Sequence, residues 1–554
     1  MSNILSSWCL GLINQIYNEL LKFVKPLKAQ EILSMITKHH RLQGSKGLWD
    51  SVKSIQEYLD SIGIESRIIR VESGAEKGHV VTPVSWDPIE ASLEIKINDK
   101  LVARFDLENH PTLLSAHSPG GEGCSELRVC GERLCDGKAI LVTGYLYDIY
   151  LRSDADLIIY YTSNRYHDAV PYTGLFLKPS DKKKSVVMNI PYSLATRIIS
   201  KTISGKKQKI QVCWKAKVRY HDLGLPVLIS CKGSDPGIVF ISHICHPKPG
   251  AHDNASGSTA NVLIAEALSK KETNYSYCNI WVPEYTGTVF LDKHLPWRPL
   301  AVINLDMIGS KQYITNSTLT LVNPPRFMYS EIPAVTWISM QKVFDTVKSF
   351  SNIAQPGIRY GISPYTMGSD HDVFIGWAID SVMYNEWPSK YYHTDKDTPE
   401  TIDPKSIAYT SISAILAAEL YFKKRDKIEE YRKLYENYVK TWYRSQAIRN
   451  EFSLSYLSRY LIKKPLITKQ EEPLIETPLL GRKIYEIIGR EEYLKTIKIS
   501  GAYTYLAVYA LMAEKIGLKE HIKHYKAELL IPMKRKEEKQ LRKVWEIIKS
   551  NIKV

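Results

Sequence analysis

The stretch GIVFISHICHPKPGAHDNASGSTANVLIAEAL, residues 237–268, combines a strand, a loop of small residues and a helix. The first run is apolar and rich in β-branched residues, which is typical of a strand covered on both faces. It ends at His243, with His246 just beyond, and Asp253 lies in the loop before the helix. In open α/β sheets, ligands bind beyond the carboxyl ends of the strands. We therefore expect these three side chains at a binding site.

The same pattern recurs toward the C-terminus. The runs CNIWVPE, LAVINLDMIG and SVMYNEW have the length of strands, and helices are expected to separate or follow them. The expected helices are 256–270, 334–350 and 404–424. This alternation predicts an α/β fold with a mainly parallel, helix-covered sheet.

Each later strand also delivers a polar side chain. Glu284 ends IWVP, Asp306 ends AVINL, and His393 follows MYNEW. Each one has a simpler explanation by itself, such as a buried core histidine or a loop cap. Five such segments converging on one edge of a sheet are hard to obtain by accident.

Imidazole and carboxylate ligands together suit zinc, and one carboxylate can bridge two ions. Cobalt and manganese are alternatives, because ligand type alone favours zinc. A hydrolytic centre also needs a base for the attacking water, and Glu284 is the candidate. The residues therefore predict a zinc site with a candidate base beside it.

At 554 residues the chain is too long for one ordinary domain. Changes in composition divide it into a helical N-terminal part, a β-rich insert, the sheet domain and a charged helical tail. The expected boundaries are 1–76, 77–216, 217–424 and 425–554. No residue cluster in the β-rich insert is typical of a catalytic site.

No run of about 18 apolar residues appears, so we expect no membrane span. Apolar residues recur at helical spacing near the N-terminus, but this segment has neither the basic first region nor the cleavage site of a signal peptide. These features favour a cytoplasmic protein. The eight cysteines include no CxxC pair, so we expect reduced and mostly buried thiols.

The formal net charge is +15, and much of it lies near the C-terminus. From Lys519 to Lys553 the chain has 11 Lys or Arg residues against 5 Asp or Glu residues. Basic and acidic residues alternate at helical spacing, which favours a solvated helix face over a nucleic-acid site.

Taken in order, the motifs resemble the co-catalytic zinc aminopeptidase family, whose relatives include glutamate carboxypeptidase and the non-catalytic transferrin receptor. The matching motifs are GAHDNASG around Asp253, Glu284 three residues before Gly287, LDMIG with Asp306, SDHDVF at 369–374 and YHT with His393. RLQGSKGLWDSVKSIQEYLDSIG resembles the N-terminal helix of the family, and GKAILVTG resembles a protease-associated domain. The resemblance covers about residues 35–424.

The resemblance implies hydrolysis of the N-terminal peptide bond in peptides with a free N-terminus, by a zinc-activated water with Glu284 as general base. One zinc would be held by His243, Asp306 and a bridging Asp253, and a second by Asp253 and His393. Asp370 and His371 of the SDH motif, together with Tyr285, would support the ligands or bind substrate. The insert and the tail are candidate surfaces for a homo-oligomer.

Two departures from the family pattern concern the metal ligands. The family's His-x-Asp is His243-Ile-Cys245 here, and its Glu-Glu is Glu284-Tyr285. Counting back from Gly287, Glu284 has the position of the base and Tyr285 replaces a ligand. A shift by one residue would instead make Glu284 a ligand.

Cys-His-Pro at 245–247 resembles an aminopeptidase-like branch with a winged-helix-like tail, in which this histidine is the ligand. We therefore expect His246 in the metal shell, with one tightly bound zinc and a weaker or absent second one. The alternatives are a catalytically inactive scaffold of the same fold, a nucleic-acid-binding protein, and a single-zinc enzyme similar to glutaminyl cyclase.

Overall fold

The computed structural model describes residues 7–203, 208–423, 425–468, 472–499 and 503–552. Its helices, in chain order, are α1 Ser7–Phe23, α2 Pro26–Thr37, α3 Lys46–Ser61, α4 Leu146–Arg152, α5 Tyr192–Ile203, α6 Gly257–Lys270, α7 Gln312–Thr315, α8 Ile332–Phe344, α9 His371–Gly376, α10 Pro404–Lys423, α11 Ile428–Arg449, α12 Leu454–Tyr460, α13 Gly481–Ile488, α14 Arg490–Ile497, α15 Tyr503–Lys515, α16 His521–Leu529 and α17 Arg535–Asn551.

The strands of the described residues are β1 Arg67–Val71, β2 Glu76–Lys77, β3 Val80–Val81, β4 Ser85–Ile97, β5 Lys100–Asp106, β6 Gly121–Gly131, β7 Ala139–Val142, β8 Leu157–Tyr160, β9 Val186–Asn189, β10 Ile210–His221, β11 Leu225–Lys232, β12 Ile238–His243, β13 Tyr277–Val282, β14 Ala301–Asp306, β15 Leu319–Val322, β16 Val347–Lys348, β17 Ala354–Gln355, β18 Tyr360–Ser363 and β19 Asp380–Glu386.

The larger sheet has the strand order β1-β11-β13-β12-β14-β19-β15-β18. Its four central strands, β13, β12, β14 and β19, run parallel, whereas β1, β11 and β15 pair antiparallel with neighbours. Helices cover the sheet, so the predicted α/β class with a mainly parallel sheet is confirmed.

Strand β12 shows why its sequence is apolar throughout. Ile238 and Phe240 pack into the core beneath the helices α1–α3, α6, α8 and α10. Val239 and Ile241 point to the opposite face and pack with Phe374 and other apolar residues around α9. Alternate side chains on a strand face opposite ways, so both sets must be apolar. The strand is therefore buried on both faces and delivers His243 to its carboxyl end.

The second large sheet lies in the β-rich insert and has the order β5-β4-β10-β6-β7-β8-β9. Its first strand in sequence begins at Ser85 and its last ends at His221. The strands β6 to β9 run parallel, and β4, β5 and β10 pair antiparallel. Apolar side chains of α4 and α5 pack in its core. The insert therefore has a hydrophobic core of its own.

Six cysteines form disulfide bonds, so the expectation of reduced thiols is wrong for them. The pairs are Cys124–Cys213, Cys130–Cys135 and Cys231–Cys278. Cys124 faces Cys213 across β6 and β10, and Cys231 faces Cys278 across β11 and β13. The two pairs are separated by 89 and 47 residues in sequence, so only the register of the strands brings them together.

The tail is helical, from α11 to α17. Tyrosines of α11 and Leu457 of α12 pack into the core of the sheet domain. The helices α13–α17 form a separate core that also contains Phe327, Tyr365 and Met367. The described residues of the tail contain no strand, so they show no hairpin of the kind that gives a winged helix its wing. Within the described part of the chain, no helix has the length and hydropathy needed to cross a membrane.

Candidate metal centre

Two groups of potential metal ligands meet at the carboxyl edge of the central strands. His243 and Asp306 are the last residues of β12 and β14, and Glu284 follows the end of β13 by two residues. The ligand atoms of these three side chains lie within 4.8 Å of one another. The second group is His246, Asp253 and His393, from the two loops that follow β12 and β19, and it meets the same distance limit.

Asp253 connects the two groups, because its two carboxylate oxygens face opposite ways. Oδ1 lies 3.4 Å from Nε2 of His243, and Oδ2 lies 3.1 Å from Nε2 of His246 and 3.1 Å from Nε2 of His393. On the first side, Nε2 of His243 also lies 3.3 Å from Oδ1 of Asp306. One carboxylate can bridge two ions in this way.

The donor atoms fit a zinc centre. Nε2 of His243 faces carboxylate oxygens of Asp253 and Asp306, and Nε2 of His246 and of His393 faces Asp253, so imidazole nitrogens and carboxylate oxygens converge on both sides of Asp253. Imidazole and carboxylate are also the ligand types that zinc prefers. His243, Asp253 and Asp306 could thus hold one ion, and Asp253, His246 and His393 a second.

The pKa values of two carboxyl groups of the centre, Asp253 and Glu284, are shifted in opposite directions. Burial opposes ionisation of Asp253, but His246 and His393 hold its pKa well below its ordinary value. Burial raises the pKa of Glu284 well above its ordinary value, against the opposing charge of His243. A carboxyl group that holds a proton more readily than its neighbours suits acid–base work.

The main chain of Glu284 is held from two sides. Its N–H donates to Sγ of Cys245 at 3.1 Å, and its carbonyl accepts a bond from Nε2 of Gln43 at 3.1 Å. Oδ1 of Asp370 accepts the N–H of Tyr285 at 2.9 Å and a bond from the hydroxyl of Thr288. Cys245, at the family's aspartate position, therefore helps to hold the turn that carries Glu284.

Tyr285 and His371 lie away from the metal ligands. The hydroxyl of Tyr285 donates to Oδ2 of Asp372 at 2.6 Å. His371 begins α9, and its Nε2 lies 3.5 Å from Oδ1 of Asp372. Neither side chain lines the cavity over the metal ligands. Of the three residues expected to support the ligands or bind substrate, only Asp370 acts directly on the Glu284 turn.

Asp397 holds the loop that presents Asp253, and sequence reasoning missed it. Its two oxygens accept the backbone N–H groups of His252 and Asp253 at 2.7 and 2.9 Å. Burial raises its pKa to about 7, although these hydrogen bonds favour the ionised form. Its position four residues after His393 was the only available signal.

Arg41 holds the loop of His246 and was also missed. The backbones of Arg41 and His246 exchange two hydrogen bonds of 2.9 Å. The guanidinium of Arg41 is fully buried and donates to the carbonyls of Ile244 at 3.0 Å and Gly250 at 2.9 Å, besides those of Ile36 and His39. One side chain therefore ties the N-terminal helices to the ligand loop.

We expect Arg41→Met to lower the free energy of unfolding by about 3 kcal/mol, because it leaves buried carbonyls without their charged donor. Urea denaturation would measure this change. Lys38→Met is the matched control, since Lys38 is exposed nearby and should change stability little. Equal stability of the two variants would contradict this role of Arg41.

A cavity of about 690 Å³ lies over the ligands. The insert contributes Tyr172, Gly174 and Phe176 to its wall, and helix α15 of the tail contributes Tyr505. The ring of Tyr172 lies 4.8 Å from that of His246 and 5.0 Å from that of His393, measured between centroids. The insert therefore reaches the metal ligands. Its sequence did not indicate this contact, because it contains no catalytic motif.

The family to which the chain belongs follows from its sequence. Residues 33–313, just over half of the chain, match the family described as "Domain of unknown function (DUF4910)". The chain belongs to this family. Residues 293–417, which include Asp306 and His393, also match the family described as Peptidase family M28. No curated protein matches the chain.

The solved structures that match this fold include three from different bacteria. A putative peptidase from Clostridium acetobutylicum is 15% identical, with a TM-score of 0.52 over 74% of this chain and 82% of its own. A zinc aminopeptidase from Bacillus subtilis is 16% identical, with a TM-score of 0.51, and the match covers 72% of this chain and 94% of its own. A peptidase M28 precursor from Shewanella amazonensis is 13% identical, with a TM-score of 0.51, and the match covers 74% of this chain and 96% of its own. At such identities the likeness establishes the fold of this DUF4910 protein and not its activity.

Proposed function

We propose that the protein is a metal-dependent aminopeptidase that hydrolyses the N-terminal peptide bond of peptides. The observation that carries this proposal is the position of Asp253, whose two oxygens face two separate sets of ligands. Glu284 lies beside one set, inside a cavity large enough for a peptide end. Two clustered ligand sets sharing a carboxylate are typical of hydrolytic centres with two metals.

Zinc held by the two ligand sets around Asp253 would polarise the scissile carbonyl and make a water molecule more acidic. Glu284 accepts a proton from the attacking water and then donates it to the leaving amine. The turn of Glu284 donates backbone hydrogen bonds to Cys245 and Asp370 and accepts one from Gln43, which hold it in place. The high pKa that burial gives Glu284 suits the second transfer.

The comparisons support a peptidase. The match to Peptidase family M28 covers Asp306 and His393, which belong to different ligand sets. The fold is that of the zinc aminopeptidase from Bacillus subtilis. Zinc as the resident metal, an exopeptidase activity and peptides with a free N-terminus as substrates are our proposals.

The scaffold alternative is less consistent with the site. A catalytically inactive scaffold has no need for two ligand sets around Asp253 or for a carboxylate as well placed as Glu284. A single-zinc enzyme such as a glutaminyl cyclase does not explain the second set, which contains His246 and His393.

The tail does not favour a nucleic-acid-binding protein. Several of its cations already pair with acidic side chains, such as Lys543 with Glu492 at 2.8 Å and Lys549 with Glu514 at 3.0 Å. Such pairs leave fewer charges for phosphate groups.

Location and assembly are separate proposals. A cytoplasmic location stays a prediction, and the three disulfide bonds weigh against it, because such bonds persist mainly in oxidising compartments. A homo-oligomer also stays a prediction.

Metal analysis and a substrate panel test the proposed function together. We expect about one to two zinc ions per chain, with hydrolysis of amino-acid anilides that have a free amine and none of N-acetylated ones. A chelator should abolish the activity, and added zinc should restore it. Bound zinc without turnover of any anilide would favour the scaffold or the cyclase, and a protein that binds no metal would refute the proposal.

A further inference from the structure

A second cavity, of about 590 Å³, adjoins the one over the metal ligands. The two cavities share Trp387 and Tyr392 as lining residues. One side of the second cavity is formed by residues 163–168 of the insert and the other by residues 387–392 of the sheet domain. The second cavity therefore lies beside the proposed catalytic centre.

Two cations face this second cavity, Arg165 from the insert and Lys390 from the sheet domain. The guanidinium carbon of Arg165 lies 4.9 Å from the ring centroid of Tyr392, and Nζ of Lys390 lies 4.7 Å from that of Tyr166. Within the described residues, neither cation forms an ion pair, and Nη1 of Arg165 donates to the neighbouring carbonyl of Asn164 at 2.8 Å. Asp168 also lines the cavity but pairs with neither of them. Aromatic faces thus orient two cations that have no carboxylate partner.

The Tyr392 ring connects these cations to the metal centre. One of its contacts is a stacked pair with the ring of His393, at 3.8 Å between centroids, and another is the guanidinium of Arg165. A peptide in extended form covers about 3.3–3.6 Å per residue. These two contacts put the guanidinium carbon of Arg165 within about 9 Å of the ring centroid of His393, which is the length of two to three extended residues. A peptide whose first bond lies at the metals would therefore bring its second or third residue to Arg165.

Trp387 forms the rim between the two cavities and leaves 50% of its surface exposed. An exposed indole beside a cationic cavity suits contact with a peptide, whose apolar and charged parts alternate over short distances. A guanidinium is also well suited to a carboxylate, which it binds through two parallel hydrogen bonds.

We propose that Arg165 and Lys390 bind a carboxylate of the substrate two or three residues from its N-terminus, so that the enzyme prefers short peptides with a free C-terminus or an acidic side chain at that position. This inference rests on the proposed aminopeptidase function and names its substrate class. The carboxylate has two sources, the C-terminus and an acidic side chain, which the substrates below distinguish.

The test compares leucyl-glycyl-glycine with its C-terminal amide, using the zinc-loaded enzyme. We expect kcat/KM to be about tenfold higher for the acid, as the loss of a charge-assisted pair would predict. In the double variant Arg165→Met, Lys390→Met the ratio of the two kcat/KM values should fall to about one. The ratio is the readout, because general damage to the site lowers both rates and leaves the ratio unchanged.

Lys217→Met is the matched control. Lys217 is an exposed cation of the same insert and does not line either cavity, so this variant should keep the wild-type ratio. Calorimetry with the Glu284→Gln variant gives a second readout without turnover, in which the acid should bind more tightly than the amide. Leucyl-glycyl-glutamate with an amidated C-terminus tests the side-chain source. If its kcat/KM equals that of the free acid leucyl-glycyl-glycine, an acidic side chain can supply the carboxylate.

Leucine anilide separates the two proposals. If the enzyme cleaves the anilide but treats the acid and the amide alike, the carboxylate site is refuted and the aminopeptidase stands. The same holds if the double variant keeps the wild-type ratio. If no substrate of the panel is cleaved, both proposals are overturned.

Discussion

Glu284→Gln should reduce kcat by about 10³-fold while zinc content stays at the wild-type level. Glutamine has the shape of glutamate but cannot accept the proton of the attacking water. The main chain of residue 284 donates to Cys245 and accepts from Gln43, so the substitution leaves both hydrogen bonds in place. Anilide hydrolysis and metal analysis of the same preparation would measure both quantities.

The metal measurement also decides between two roles for Glu284. Its carboxylate lies within 4.8 Å of the ligand atoms of His243 and Asp306, close enough for a ligand as well as for a base. If zinc content falls together with activity, Glu284 is a ligand and not the base. Glu272→Gln, at an exposed position just after α6, is the matched control and should change neither quantity.

His246→Ala should remove one zinc ion per chain and reduce kcat/KM by about 100-fold. Nε2 of His246 lies 3.1 Å from Oδ2 of Asp253, on the side of that carboxylate that also faces His393. Without His246, this side retains only one imidazole and one carboxylate oxygen from the chain. Metal analysis after dialysis at a fixed free zinc concentration would measure the loss.

His294→Ala is the matched control for His246→Ala. His294 is half-buried at the end of a short 3₁₀ helix, outside the cavity, and its substitution should leave zinc content unchanged. If the His246→Ala variant keeps the zinc content and the turnover of the wild type, the role of His246 as a ligand is refuted. In that case His246 acts only through its main-chain bonds to Arg41.

The alternation of apolar runs and helical segments predicts the central sheet, because a strand buried on both faces must be apolar at every position. The expected helices 256–270, 334–350 and 404–424 correspond to α6, α8 and α10, with most of their ends shifted by one to six residues. The positions of His243 and Asp306 at the ends of β12 and β14 also follow from the sequence, since each terminates an apolar run.

The supports of the site were not predictable, because they come from distant segments. Arg41 reaches the His246 loop across about two hundred residues, and Asp397 holds Asp253 through backbone groups that no sequence pattern identifies. Tyr172 belongs to the insert, whose sequence contains no catalytic motif. Side-chain contacts of this kind depend on how the domains pack, which local periodicity does not encode.

By itself, the sequence determined which residue types lie at the carboxyl ends of the central strands, because burial dictates where apolar runs stop. Only the tertiary structure decided how they divide: Oδ1 of Asp253 faces His243, and Oδ2 faces His246 and His393. It also decided that six cysteines pair and that Arg165 and Lys390 face one cavity. The physical reason is the same in each case. Register, loop conformation and domain packing set distances between atoms that are far apart along the chain.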